Sequence, residues 1–209
     1  MYTLYGTQGS GSAAVEAALV LAGLPFRTVR ASQWEADSAQ AELLTLNPLG
    51  QIPTLQLPDG SVMTESAAIL AELGLRHPEA GLLPTEPSAR AQALRGLVYI
   101  AANCYSAISV IDFPERWCSE ADEATNTRIR AGARARLHHH WGLFADQFPA
   151  APFLNGAAPG ALDLLASVVS RWSGTRAFVK AQRPAFAALL QRIETHPQLA
   201  PVFQRHWPG

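Results

Sequence analysis

Six hydroxyl-bearing residues crowd the first dozen positions, and three of them are candidates for chemistry. Tyr5, Ser10 and Ser12 lie in the loop Tyr5-Gly-Thr-Gln-Gly-Ser-Gly-Ser12, just ahead of an apolar run that reads as a helix over residues 12–22. A helix N-terminus supplies up to ~2 kcal/mol to an anion and a hydrogen bond to a charged group ~1.5 to 3, so a hydroxyl placed there can hold an acidic group ionised. A second such mouth opens at Thr64-Glu65-Ser66, before Ala67, Ala68, Ile69 and Leu70. Between them, Gln51-Ile52-Pro53 leads a short strand. Plainer readings stand beside these. Ser12 has the position of an N-cap, and Thr-Glu-Ser before an apolar run is an ordinary capped start. Tyr5 can be a strand residue packing on the helices that follow, and Ser10 between two glycines a loop tip. About one X-Pro bond in twenty is cis in folded proteins, so Pro53 by itself reads as a trans, edge-strand residue.

The elements that would position these groups follow from pattern. Residues 1–5 read as a strand, 12–22 as a helix ended by Gly23 and Pro25, and 26–30 as a second strand, parallel to the first through a right-handed crossover. A less periodic helix falls in 34–46, ahead of the turn Asn47-Pro-Leu-Gly50. Strands at 53–57 and 61–63 meet at the hairpin signal Asp59-Gly60, and a helix runs from 66 to about 75. Three prolines and Gly81 in 77–87 read as a linker. Helices are then expected over 88–111, 120–148, 161–172, 184–195 and 197–205, the first broken at Asp112-Phe-Pro114.

The 209 residues bury a core easily, and a net charge of -1 gives no basic surface for nucleic acid or an anionic membrane. No apolar run reaches the roughly 20 residues of a membrane span, and no signal peptide opens the chain, so a cytoplasmic protein is expected. Its two cysteines, Cys104 and Cys118, fit a reducing compartment. Cys104 reads as a buried structural thiol. His138-His139-His140 cannot share one metal, because adjacent helical residues diverge; no metal is expected.

The run from 47 to 70, with its proline-led strand, hairpin and Glu65-Ser66 helix mouth, resembles the glutathione-binding half of the glutathione transferases. With the all-helical remainder the resemblance covers essentially the whole chain. It implies an α/β plus all-α plan: a thioredoxin-like domain over 1–76 with a mixed four-stranded sheet, a linker over 77–87, and an all-helical domain over 88–209. It implies glutathione as co-substrate, a homodimer, and a role in detoxification. A cis Pro53 would turn the Ile52 backbone outward to pair with the tripeptide as an added strand. Gln51, Ile52, Pro53, Glu65 and Ser66 would bind it, the Ser66 helix mouth taking its carboxylate and Glu65 its ammonium.

The family holds the bound thiol, near pKa ~8.5 when free, as a thiolate. Ser10 ranks first as the activating hydroxyl because Gly-Ser ahead of this helix resembles serine-type members, with Ser12 and then Tyr5 next. No cysteine precedes Cys104, which excludes disulfide exchange by the protein itself at this site and leaves glutathione as nucleophile. A hydrophobic electrophile is expected between the domains, against Tyr99, Tyr105, Phe113 and Trp117. A non-catalytic member serving as a dimeric binding module is the alternative, and a glutathione-dependent isomerase or reductase a third. Two departures are visible. No acid lies between Gln92 and Asp112, where some members lend one to the partner. Gly160 also stands where a Ser or Thr usually pairs with Asp163 in a reciprocal cap, a loss of a few tenths to ~1 kcal/mol.

Overall fold

Alternation along the first strand decides how the sheet is covered. In the computed structural model, which describes residues 1–35 and 37–208, β1 (Tyr2–Gly6) points Tyr2 and Leu4 to one face and Tyr5 to the other. Ala36, inside the helix expected over 34–46, and Gly209, closing the expected helical domain, lie outside the described residues. Strand β2 (Phe26–Arg30) runs parallel to β1, with Tyr2 opposite Phe26, after the crossover through α1 (Ser12–Leu21). Strand β3 (Thr54–Gln56) pairs antiparallel with β1, and β4 (Val62–Met63) with β3, giving the order β2-β1-β3-β4. The hairpin is the expected one, with Gly60 at φ 87°.

Helix α2 (Gln40–Leu46) covers the Tyr5 face, where Tyr5, Ala31 and Leu43 form a small core of their own. It begins later than the sequence pattern indicates, after a stretch held by Ser38, whose hydroxyl bridges the Ser32 N–H and C=O. The other face takes α1 and α3 (Ser66–Arg76). Every residue of α1 from Ser12 to Leu19 is buried, because the helix lies between the sheet and α7 (Ala161–Val169), itself buried throughout.

The segment expected as a linker is packed down: Leu82 and Leu83 enter the core, and the Leu82 carbonyl accepts the Ala161 N–H at 2.8 Å. Glu86 then caps α4 (Pro87–Tyr99), accepting the Ser88 and Ala89 N–H groups. A π-helical segment, Ile100–Tyr105, joins α4 to α5 (Ser106–Asp112), making one rod of 26 residues. By length and composition this rod can cross a membrane, contrary to the count of apolar runs in the sequence, because two arginines near its start interrupt the run without interrupting the helix. Leu97, Ile100, Cys104, Ile108 and Ile111 turn one side of it into the core.

The chain returns along the rod as α6 (Glu123–Gln147), opened by Asp122 on the Thr125 N–H, with the Tyr99 hydroxyl donating to the His140 carbonyl and Arg95 to Gln147. After α7 come α8 (Thr175–Gln182), α9 (Pro184–Glu194) and α10 (Ala200–His206). The expected helix over 161–172 stops at Val169, and α8 is unanticipated. Gly160 has its reason here: a Cβ would lie 2.4 Å from the Asn155 side chain, whose amide donates to the Gly81 carbonyl.

Candidate functional site

The loop from Tyr5 to Ser12 is held by its own hydroxyls. Ser10 Oγ donates to the Thr7 carbonyl at 2.7 Å, accepts the Ser12 N–H at 3.2 Å, and lies 2.8 Å from Ser12 Oγ. Ser12 Oγ also sits 3.2 Å from the Thr7 carbonyl. Ser12 is the first residue of α1, with Gly11 at the N-cap position, so the capping acceptor is Ser10 and not, as its position suggests, Ser12. Gly6 is required because a Cβ there would lie 2.3 Å from the Ser12 side chain. Tyr5 points away from α1: its hydroxyl donates to Glu42 at 2.6 Å on the α2 face, and burial, followed by that bond, pushes its pKa up to about 12. It packs beneath α2, not on the helical half.

The C-terminal helix also reaches this loop. The Gly9 N–H donates to His206 Nδ1 at 3.2 Å, and His206 Nε2 lies 2.8 Å from Glu16 of α1. Nothing in the sequence links positions so far apart. A cleft of about 260 Å³ between β2, α1 and α10 is lined by Thr7, Ser12, Glu16, Arg30 and Arg205, and includes neither Pro53 nor Glu65.

The second group of residues meets across the sheet edge. Leu55 pairs antiparallel with Met63 and Gln56 with Val62, so Ile52-Pro53, just before β3, and Glu65-Ser66, just after β4, lie at the same end of the hairpin. The Ile52-Pro53 bond is cis. Among the described residues, the Ile52 N–H and C=O have no hydrogen-bond partner, nor has the Ser66 hydroxyl. Glu65 is exposed and stands at φ 62°, a left-handed conformation uncommon for a residue with a Cβ and concentrated at functional sites. The mouth of α3 and an unpaired stretch of backbone therefore share one end of the hairpin, and among the described residues the Glu65 carboxylate has no partner there.

Asn47 sets that backbone. Its amide donates to the Gln51 carbonyl and to Thr54 Oγ1, each at 3.0 Å, and its oxygen accepts the Leu49 N–H at 3.1 Å. From outside, Gln33 donates to the Leu49 and Gly50 carbonyls. Turn chemistry flags Asn47 in the sequence; Gln33 gives no signal. Asn47→Ala is expected to lower stability by about 2 kcal/mol, the scale of leaving such buried partners unpaired, as a denaturant midpoint shift at unchanged slope.

Of the four residues nominated for a second-substrate pocket, only Tyr105 comes to this site. A Cβ on Gly11 would lie 2.3 Å from the Tyr105 hydroxyl and 3.6 Å from Pro53 Cδ, so the mouth of α1, the proline and the phenol converge. Tyr99 belongs to an aromatic cluster with Phe144 and Phe148, its hydroxyl spent on His140. Phe113 lies under the Arg116 guanidinium. Trp117 lines a separate groove of about 320 Å³ between the long rod and α6, with Asn103, Val110 and Arg136. Cys104 is fully buried, and burial pushes its thiol up to about 12. Among the three histidines His138 stacks on Phe178 while His139 and His140 tilt together; among the described residues no three metal-ligating side chains cluster.

Comparison with known proteins bears on the family and the fold. Residues 12–76 match the family described as glutathione S-transferase, N-terminal domain. The uncharacterized GST-like protein YncG of Escherichia coli K12 is 30% identical over 211 residues, 99% of this chain and 98% of its own. A maleylacetoacetate isomerase of Pseudomonas aeruginosa is 29% identical over 59% of each chain. Among solved structures, a glutathione transferase homolog from Sulfitobacter with bound glutathione superposes with a TM-score of 0.85, at 27% identity, over 97% of this chain and 96% of that one. The chain belongs to the glutathione S-transferase family, with a thioredoxin-like sheet domain followed by a helical one.

Proposed function

We propose that the protein binds glutathione between the Gln51–Pro53 backbone and the mouth of α3 and presents its thiolate to a hydrophobic electrophile. The observation that carries this reading is the unpaired Ile52 backbone, cis at Pro53, at the end of the hairpin where Glu65 and Ser66 open α3. An extended peptide adds to such an edge by main-chain hydrogen bonds. Its γ-glutamyl carboxylate meets the free N–H groups and hydroxyl at Ser66, and its ammonium meets Glu65. Gln51, exposed beside them, reaches the same ligand. The structure with bound glutathione from Sulfitobacter supports the ligand. In this reading residues 1–76 hold glutathione and the helices after residue 87 cover the second substrate. Two copies pair, a state checked by sedimentation at twice 22.4 kDa.

Retention on immobilised glutathione, with elution by the free tripeptide, tests the reading. Glu65→Ala is expected to weaken binding about 10- to 100-fold, the worth of one charge-assisted hydrogen bond. A wild-type protein that is not retained overturns the proposal, and one that binds without forming a thiolate near neutral pH serves as a non-catalytic binding module. A glutathione-dependent isomerase is the second reading, favoured by the Pseudomonas aeruginosa relative; turnover of maleylacetoacetate separates it from conjugation.

A further inference from the structure

The hydroxyls nominated from the sequence have their protons spent: Ser10 donates to Thr7, Ser12 bonds to Ser10 and Thr7, and Tyr5 donates to Glu42. Yet one hydroxyl at the mouth of α1 has no hydrogen-bond partner among the described residues, and it comes from the far half of the chain. We infer that Tyr105 is the catalytic hydroxyl, donating its hydrogen bond to the sulfur of bound glutathione from across the domain interface. This rests on the glutathione reading above.

Four features place it. Its oxygen occupies the space that a Cβ on Gly11 would fill, at the N-terminus of α1 and next to the proline. The Gly11 N–H, also without a partner among the described residues, supplies a second donor there. Tyr105 ends the π-helical segment, the local widening that re-aims a side chain on an otherwise regular rod. Its ring stacks on Trp172, centroids 5.6 Å apart and planes 21° apart, which fixes its direction. Burial first, then the charges of Glu65 and Asp112, push its pKa up to about 12, so at neutral pH it keeps its proton and acts as a donor. The thiol proton leaves to water, the sulfur becomes anionic, and Tyr105 stays neutral throughout. With an activated aryl chloride as probe, the thiolate adds to the ring carbon to form the C–S bond, the electron pair passes onto the ring's electron-withdrawing groups, and it returns as the C–Cl bond breaks and chloride departs.

The test is the ultraviolet absorbance of the bound thiolate against pH, measured on the full chain with glutathione, for wild type, Tyr105→Phe, Gly11→Ala and Ser10→Ala. Tyr105→Phe is expected to raise the apparent pKa of the bound thiol by one to two units, on the order of a hydrogen bond to a charged group, while glutathione affinity changes less than about threefold. Turnover of the aryl chloride at neutral pH falls about 10- to 100-fold. Gly11→Ala keeps the phenol but displaces it; Gly11 has φ -59°, so alanine meets no backbone strain, and the same rise is expected. A purely structural tyrosine would not move the thiol titration. An unchanged pKa in Tyr105→Phe, or a rise confined to Ser10→Ala, overturns the inference and leaves the glutathione reading standing; a wild-type protein that does not bind glutathione overturns both.

Discussion

Asp163→Ala is expected to lower folding stability by about 4 kcal/mol. Asp163 is fully buried and accepts three backbone N–H groups: Leu154 at 2.8 Å on one oxygen, Asn155 at 3.1 Å and Gly160 at 3.0 Å on the other. Each donor left buried without an acceptor costs roughly 1–3 kcal/mol. Only half of the reciprocal cap exists, since Gly160 has no side chain to return the bond. Asp163→Asn separates charge from geometry: with its oxygen kept on the two-donor side, the amide turns a donor toward Leu154, and about 2 kcal/mol is lost. Denaturant midpoints check both; an alanine variant within 1 kcal/mol of wild type would show that water replaces the carboxylate. Burial is the larger influence on this group and pushes it up to about 6, the three N–H bonds pulling the other way. A raised folded value means that the native state takes up the proton first, so acidification from about 6 toward the ordinary 3.8 favours folding through Asp163.

What the sequence discloses about this molecule is what lies within a few residues. Asp59-Gly60, the turn at Asn47, Pro184 at a first helical turn and the stop at Pro114 are local signals, and each structural feature falls where the signal is. The strand-helix-strand opening follows because a parallel pair needs a crossover. The rod from 87 to 112 is legible as a helix, but its π-helical segment is not: Ile100-Ala-Ala-Asn-Cys-Tyr105 has the same apolar spacing in either winding. Helix α8 is hidden because it is only eight residues long and Gly174 reads as a turn. In the site, Glu65 and Ser66 are visible as a helix start, whereas the roles of the two tyrosine hydroxyls depend on partners 37 and 94 residues away. Tyr5 is bonded to Glu42 and Tyr105 rests on Gly11, pairings that only the packed chain creates.

The second large effect concerns a pairing of the same kind, between α1 and the end of the chain. Glu16 is buried in α1 with one oxygen 2.5 Å from Arg205 and the other 2.8 Å from His206. His206 Nδ1 accepts the Gly9 N–H, so Nε2 carries the hydrogen given to Glu16, and the ring clamps the hydroxyl loop to α1. Burial would raise the Glu16 pKa, but the hydrogen bonds from His206 and Arg205, with the Arg205 charge, outweigh it and hold the carboxyl below its ordinary 4.5. The sign follows: a depressed folded value gives stability that is full above about 4.5 and lost as pH falls through the lowered value, the opposite of Asp163. Glu16→Gln should therefore cost about 2 kcal/mol at neutral pH, because it removes the carboxylate acceptor of a buried N–H, and should flatten the acid limb of stability against pH. Unfolding midpoints from neutral pH down to about 3 check it; wild-type and variant curves that stay parallel would mean that another carboxylate drives acid unfolding. Because Gly9 shares the clamp with Ser10 and Gly11, His206→Ala should also weaken glutathione binding by about 3- to 10-fold without touching the ligand, the scale of one neutral hydrogen bond.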